Sequence, residues 1–213
     1  MSVFLEVKGK ELDDLPAYTV FQGFPYNFYD LKQSKLSDLE LRLKEYLKKV
    51  LLGQRIADNK NSLTEGFSSN FFIELKEELN KVEVSPELVN GFPSKDLTEI
   101  LQEIFVRVIK KNFSNLKPEK LVLSAVDEVL GYSFISPFMR DQDLEEIMVN
   151  GLNKNIFVFH RKFGMCKTNF IVKDERLLER LLHKVAFHSG RKFDESHPLL
   201  DAKLPDGSRA NAT

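Results

Sequence analysis

The sequence is poor in three features, each of which would have indicated a particular class of protein. It has a single cysteine, Cys166, so no disulfide can form within the chain, which favours a reducing cytoplasmic compartment. Its longest uncharged stretch, residues 15–29, has 15 residues and is interrupted by glycine and proline, whereas a helix needs ~20 apolar residues to cross a bilayer. Its net charge of -1 excludes a general nucleic-acid coat. We therefore expect a cytoplasmic globular protein.

Charge is divided unevenly along the chain. Residues 1–149 carry 19 basic and 25 acidic side chains, and residues 150–213 carry 12 basic and 7 acidic ones. A basic final third on an acidic body favours a surface that faces an anion. Ordinary sampling of surface charge is the alternative.

Residues 31–131 have the apolar spacing of amphipathic helices. Ser37 and Glu40 form a capping-box pattern at the start of one helix. Ser94 is placed to cap a longer helix, and Pro118 stands where a first-turn proline is tolerated. Four such helices with short connections predict a helical bundle, because each apolar face needs a partner.

Residues 1–30 are predicted to be an irregular segment, since Pro16, Gly23 and Pro25 interrupt it. The aromatic side chains of this segment have no interleaved lysine or arginine, which makes them a poor stacking surface for nucleic acid. We expect the rings to pack on a domain, with a partner-docking surface as the alternative. They are Tyr18, Phe21, Phe24, Tyr26, Phe28 and Tyr29.

Residues 132–213 change from a helical to a strand period. Two β-rich runs flank residues 161–164, a hairpin signature, and another pair flanks the turn at residues 205–207. Asp174 caps a helix between the two pairs. The predicted fold class is α+β: a helical bundle followed by a small mixed α/β domain with an antiparallel sheet.

No group of side chains forms a metal-binding or catalytic signature. His183 and His188 lie five residues apart, on different sides of a helix, and Cys166 fits a packed strand position. The carboxylates at positions 194, 195, 201 and 206 fit turns and caps. The pattern G-x-x-x-x-G-K-[ST] does not occur, so the loop that cradles nucleotide phosphates is lacking. We expect no catalytic residue and no metal ligand in this chain.

Three motifs resemble the N-terminal domain of the type II/IV secretion superfamily ATPases. They are EIMVNG at 146–151, SGR followed by Asp at 189–194, and LPDGSR with Asn at 204–211. The block VFHRKFGMCKTN at 158–169 is most similar to the archaeal branch, in particular the archaellar motor ATPase. The resemblance covers residues 125–213.

The resemblance implies a PAS-like N-terminal domain of a hexameric ATPase. ATP and Mg²⁺ would lie between this domain and a RecA-like C-terminal core, which the chain is expected to stop short of. By itself the chain would then bind no cofactor and hydrolyse no ATP. The implied partners are its own core, the other subunits of a homohexamer, a polytopic membrane platform protein and archaellum motor accessory proteins, but not nucleic acid. The implied location is the cytoplasmic face of the cell membrane.

Within the matching motifs, four cations are candidates for contact with nucleotide phosphates. Arg209 and Arg191 would reach the phosphates when the cleft closes, since arginine suits bidentate phosphate contact. Arg161 and Lys203 are weaker candidates. The alternative for Arg191 and Arg209 is a local ion pair, for instance with Asp194 or Asp201.

Three functions follow as expectations. The first is regulation and coupling in the ATPase that assembles and rotates the archaellum. The second is the same role in an archaeal type IV pilus or type II-like secretion ATPase. The third is a stand-alone adaptor or sensory module that binds a partner.

Overall fold

Three strands near the start of the chain and three strands within residues 144–171 assemble into one mixed sheet. Four helices that lie between them in the sequence pack around a core of their own. The computed structural model describes residues 10–32, 36–53, 62–82 and 92–213. The predicted α+β class is confirmed. Contacts divide the chain into two units: Met1–Lys35 with Phe134–Leu181, and Leu36–Ser133 with Leu182–Thr213.

The first unit is built on the sheet, whose strand order is β1-β2-β3-β6-β5-β4. The strands within residues 132–213 pair antiparallel, as predicted, and the one parallel pairing joins β6 to β3 from the start of the chain. A short 3₁₀ turn, Ser133–Ile135, leads into helix α5, Ser136–Met139. The strands are β1 Glu11–Asp14, β2 Tyr18–Phe21, β3 Asn27–Leu31, β4 Leu144–Met148, β5 Asn155–His160 and β6 Gly164–Ile171.

The prediction of an irregular segment over residues 1–30 is wrong for the described part, which forms β1 to β3; residues 1–9 lie outside the described residues. Tyr18 and Val20 are buried and share one sheet face with Tyr29. The rings of Tyr18 and Tyr29 stack with centroids 4.3 Å apart, and Tyr29 packs on Phe138. The predicted packing of these rings on a domain is therefore confirmed for this face.

The helices of the second unit pack on a common core. They are α1 Asp38–Leu51, α2 Ser69–Leu79, α3 Lys95–Asn112 and α4 Glu119–Val129. The core includes Leu47 of α1, Phe71 of α2, Phe105 of α3 and Val126 of α4, all fully or almost fully buried. The predicted capping box is present, since Ser37 Oγ accepts from the Glu40 N–H and the Glu40 carboxylate accepts from the Ser37 N–H.

The predicted α+β domain at residues 132–213 is divided between the two units. Helix α6, Glu175–His188, contains the boundary, which falls after Leu181. Strands β7, Leu200–Lys203, and β8, Arg209–Ala212, form their own two-stranded sheet in the second unit. They pair with each other antiparallel around the turn at residues 205–207.

Within the described residues, no helix is both long and apolar enough to span a lipid bilayer.

Candidate anion-binding site

The hairpin β7–β8 has one buried apolar face and one exposed polar face. Leu200 and Ala202 are buried, whereas Asp201 and Lys203 between them are exposed. Lys203 lies opposite Arg209, and Asp201 lies opposite an asparagine at 211. Because opposite residues in an antiparallel pair project to the same side, the polar face brings Asp201, Lys203 and Arg209 together.

The turn before Arg209 is held by its own hydrogen bonds. The Gly207 N–H donates to Leu204 O at 3.0 Å, and the Leu204 N–H donates to Ser208 O at 2.8 Å. The Asp206 carboxylate accepts from the Ser208 N–H at 3.0 Å and from its hydroxyl at 3.1 Å. Gly207 has a φ of +89°, a conformation that glycine adopts without strain. The backbone of Arg209 therefore leaves a well-defined turn.

A tyrosine at the end of the helical bundle lies beside the same turn. Burial of Tyr132, together with the charge of Asp206, raises the pKa of Tyr132 to about 12. The Tyr132 ring packs on Phe92, with ring centroids 4.6 Å apart. Tyr132 therefore packs beside the turn within its own unit.

Arg209 forms a bidentate ion pair with Asp201. Its Nε lies 3.0 Å from Asp201 Oδ1 and its Nη2 lies 2.7 Å from Oδ2. The hydrogen bond from Arg209 holds the pKa of Asp201 below its usual value, and the charge of Arg191 adds to this effect. The local ion pair that was the alternative for Arg209 is therefore present, and the partner is Asp201.

Arg191 lies just beyond the end of α6, where the chain leaves the helix. Gly190 has a φ of +64°, and the Arg191 N–H donates to Ala186 O at 2.9 Å, which is the usual geometry of a glycine-terminated helix. Asp194, the other partner considered for Arg191, instead accepts from the His197 ring at 2.9 Å. Arg191 lowers the pKa of Asp201 through its charge, without a hydrogen bond to that carboxylate.

The three cations Arg191, Lys203 and Arg209 form what we call the cationic cluster. All three side chains are exposed. Within the described ranges, Arg191 and Lys203 have no ion-pair partner, and Asp201 is the one carboxylate paired with the cluster. The cluster therefore has an excess of positive charge and suits a polyvalent anion.

Arg161, the fourth predicted site residue, belongs to the other unit. It lies in the β5–β6 turn, where its Nε is 3.3 Å from Glu145 and its Nη1 is 3.9 Å from Asp143. Its Nη2 also donates to Gln142 O at 3.5 Å. The structure thus places Arg161 in a local ion-pair network with the residues in and before β4, and groups only the other three candidates.

Two residues that support the site, Tyr132 and Lys184, were not predicted from the sequence. Lys184 of α6 is 5% exposed, and its Nζ donates to Val129 O at 2.6 Å and to Gly131 O at 3.0 Å at the end of α4. These contacts fix the last turns of α6, from which Arg191 follows. A lysine within an amphipathic helix carries no signal that it is buried, so the sequence could not have identified it.

Two other features bear on metal and thiol chemistry. Across the described residues, no group of three or more histidine, cysteine, aspartate or glutamate side chains is placed to hold a metal ion. Cys166 is buried in β6, as predicted, and burial raises the pKa of its thiol to about 11. A thiol with so high a pKa is a packed side chain and a poor nucleophile.

Comparison with known proteins finds similar chains in one archaeon, Methanocaldococcus jannaschii. The uncharacterized protein MJ0781 is 52% identical over 75 residues, which is 35% of this chain and 10% of that protein. The uncharacterized protein MJ0900 is 39% identical over 84 residues, 39% of this chain and 15% of that protein. The uncharacterized protein MJ1288 is 29% identical over 131 residues, 62% of this chain and 50% of that protein.

The chain thus spans half the length or less of these relatives. No protein-family model matches it.

Proposed function

We propose that this chain is the N-terminal coupling domain of a hexameric ATPase of the type II/IV secretion superfamily, and that the ATPase assembles and rotates an archaellum. The domain would close over ATP that a RecA-like core holds. One observation carries the proposal: two neighbouring motifs that resemble this family contribute arginines beside one carboxylate, since Arg209 pairs with Asp201 through two N–H donors and the charge of Arg191 lowers the pKa of Asp201.

The geometry of the cationic cluster supports contact with phosphate. Arg209 presents two N–H donors side by side, and this is the arrangement that binds two oxygens of one phosphate. The hydrogen bonds of the turn fix the base of Arg209, and the end of α6 fixes the backbone of Arg191. A fixed donor costs little reorganisation when the anion arrives.

The relatives are consistent with a domain that recurs in longer proteins. The matched segments make up 10% of MJ0781 and 15% of MJ0900, and both proteins come from an archaeon. A coupling domain beside a catalytic core would likewise form a short segment of a longer chain.

In this proposal the chain binds and orients, and the core performs the chemistry. ATP and Mg²⁺ on the core supply the phosphoryl group and its charge neutralisation. Arg209 and Arg191 contribute positive charge to the phosphates from the opposite side of the cleft, with Lys203 beside them. Nucleotide state and domain angle are then linked, because the arginines lose their ligand when the phosphate leaves.

The proposed partners are the RecA-like core, the other five subunits of the ring, a polytopic membrane platform protein and motor accessory proteins. Such an assembly lies at the cytoplasmic face of the membrane without entering it.

ATP turnover by the whole protein, with this chain joined to its core, tests the role of Arg209. We expect Arg209→Ala to lower kcat by about tenfold to a thousandfold, as for the loss of one charge-stabilising donor. Arg107→Ala is the matched control, because Arg107 is an exposed arginine paired with a carboxylate, Glu78, in the same unit. A kcat for Arg209→Ala within twofold of the control would contradict the proposal.

The archaellum is distinguished from a pilus or secretion role by phenotype. If Arg209→Ala abolishes swimming and leaves adhesive pili intact, the archaellum is supported; loss of pili alone favours the second role. An intact protein that binds a partner but turns over no ATP would support the adaptor instead.

A further inference from the structure

We propose that Asp201 is a built-in competitor for the anion, occupying Arg209 until a polyphosphate displaces it. The proposal rests on the function above and describes how the same site is regulated. We call this arrangement the Asp201 latch.

The latch uses the same donors that a phosphate would use. Both Asp201 oxygens engage the Nε and Nη2 edge of Arg209, at 3.0 and 2.7 Å. A bidentate phosphate binds a guanidinium through two parallel N–H···O bonds in the same way. One edge of Arg209 cannot hold both ligands, so binding of phosphate there requires the carboxylate to leave.

The latch is weak enough to open. The Arg209 side chain is 72% exposed and that of Asp201 is 52% exposed, so water replaces the lost contacts when the pair separates. Exposed ion pairs of this kind contribute little free energy. Release of Asp201 therefore imposes only a small barrier on the incoming anion.

The other two cations of the cluster make the replacement of Asp201 by another anion depend on the charge of that anion. Arg191 and Lys203 have no ion-pair partner within the described residues, and a single carboxylate on Arg209 leaves them unneutralised. A triphosphate offers several negative charges to the whole cluster, whereas a monovalent anion offers one and gains little over Asp201. The ligand class is therefore a polyphosphate such as the tail of a nucleoside triphosphate.

As a consequence, the Arg209 side chain is held in one orientation and already has an anionic partner. Asp201 holds the guanidinium in position, and a small monovalent anion gains little by displacing it. Arg209 changes partner only when a polyvalent anion is brought to the hairpin.

Binding of inorganic tripolyphosphate to this chain at low ionic strength, followed by calorimetry or NMR titration, tests the latch. We expect Asp201→Asn to bind tripolyphosphate about fivefold more tightly than the unchanged chain, because one repulsive charge and one competitor are removed. The gain should shrink as salt is added.

Two further variants make the result specific. Glu78→Gln is the matched control, since Glu78 is also paired with an arginine, Arg107, in the same unit, and its affinity should stay within twofold. Asp201→Asn combined with Arg209→Ala should lose the gain, which assigns it to Arg209. Circular dichroism and thermal melting confirm that each variant is folded.

The outcomes separate the latch from the function. Tighter binding by Asp201→Asn, with Glu78→Gln unchanged, supports the latch. Equal or weaker binding by Asp201→Asn overturns it, and the phosphate site survives if Arg209→Ala alone still weakens binding. If Arg209→Ala alters binding in neither background, or if no variant binds tripolyphosphate, both the latch and the site are wrong.

Discussion

At the scale of single residues, the first unit contains a chain of polar contacts inside an otherwise apolar sheet face. His160 is fully buried, and its Nδ1 accepts from the Lys162 N–H at 3.1 Å while its Nε2 lies 3.4 Å from the Tyr18 hydroxyl. The Tyr29 hydroxyl donates to the Asp141 carboxylate at 2.8 Å. Buried polar atoms are costly unless they are paired, so these contacts restrict which strands can meet here.

Tyr29→Phe tests one of these contacts. The substitution keeps the ring stacked on Tyr18 but removes the hydrogen bond to Asp141, so the free energy of unfolding should fall by about 1–2 kcal/mol. Urea denaturation followed by circular dichroism measures the change. Tyr26→Phe is the control, since Tyr26 is 42% exposed, and equal losses for the two variants would show that the Asp141 bond contributes nothing.

Some site residues were predictable at this scale and others were not. Arg209 and Lys203 could be identified from the motif around the turn at residues 205–207, and both are exposed. Tyr132 was not identified, because its partner Asp206 is far away in the sequence and only the folded chain brings the two together. Local sequence patterns predict which residues are exposed and where turns lie, whereas the interaction partners of a side chain depend on tertiary contacts.

At the scale of elements, helices were predicted more faithfully than strands. Helix α1 has 14 residues and α3 has 18, long enough to repeat the apolar spacing several times. Strand β2 has four residues, and the parallel partner of β3 is β6, far along the chain. A period cannot be recognised over four residues, and Gly23 and Pro25 interrupt only the connection between β2 and β3.

An ion-pair cluster joins α1 to α4 and makes the stability of the second unit depend on pH. Glu128 of α4 is paired with Lys44 at 3.1 Å and with Lys48, both on α1. Burial alone would raise the pKa of Glu128, but the two lysines more than offset it and hold the pKa below its usual value of 4.5.

Glu128→Gln should therefore flatten the acid dependence of unfolding. A carboxyl with a lowered folded-state pKa stabilises the protein above its unfolded pKa, and the stabilisation is lost as the pH falls through the folded pKa. We expect the variant to be less stable than the unchanged chain at pH 7 and to lose less stability below about pH 4.5. Thermal melting across this range measures it, and parallel curves for the two proteins would refute the assignment.

At the scale of the whole molecule, chain order and spatial organisation differ. Helices α1 to α4 lie within residues 31–131, but β1 to β3 and β4 to β6, on either side of this range, form one sheet. The unit boundary within α6 has no sequence mark, because a continuous helix shows no change in period there. Sequence patterns describe neighbours along the chain, and unit membership depends on contacts between distant segments.

At the same scale, the position of the cationic cluster in the molecule bears on its proposed function. The basic final third of the sequence supplies all three of its members, and the hairpin presents two of them on one exposed face. In the proposed function, this surface would meet the nucleotide that the core holds.

The structure of the whole assembled ring with ATP bound, determined by electron cryomicroscopy, tests that claim most directly. The account predicts that in closed, ATP-filled subunits the Arg209 guanidinium lies within hydrogen-bonding distance of a phosphate oxygen and has separated from Asp201. Arg209 still paired with Asp201, and Arg191 directed away from the phosphates, in every ATP-filled subunit would contradict it.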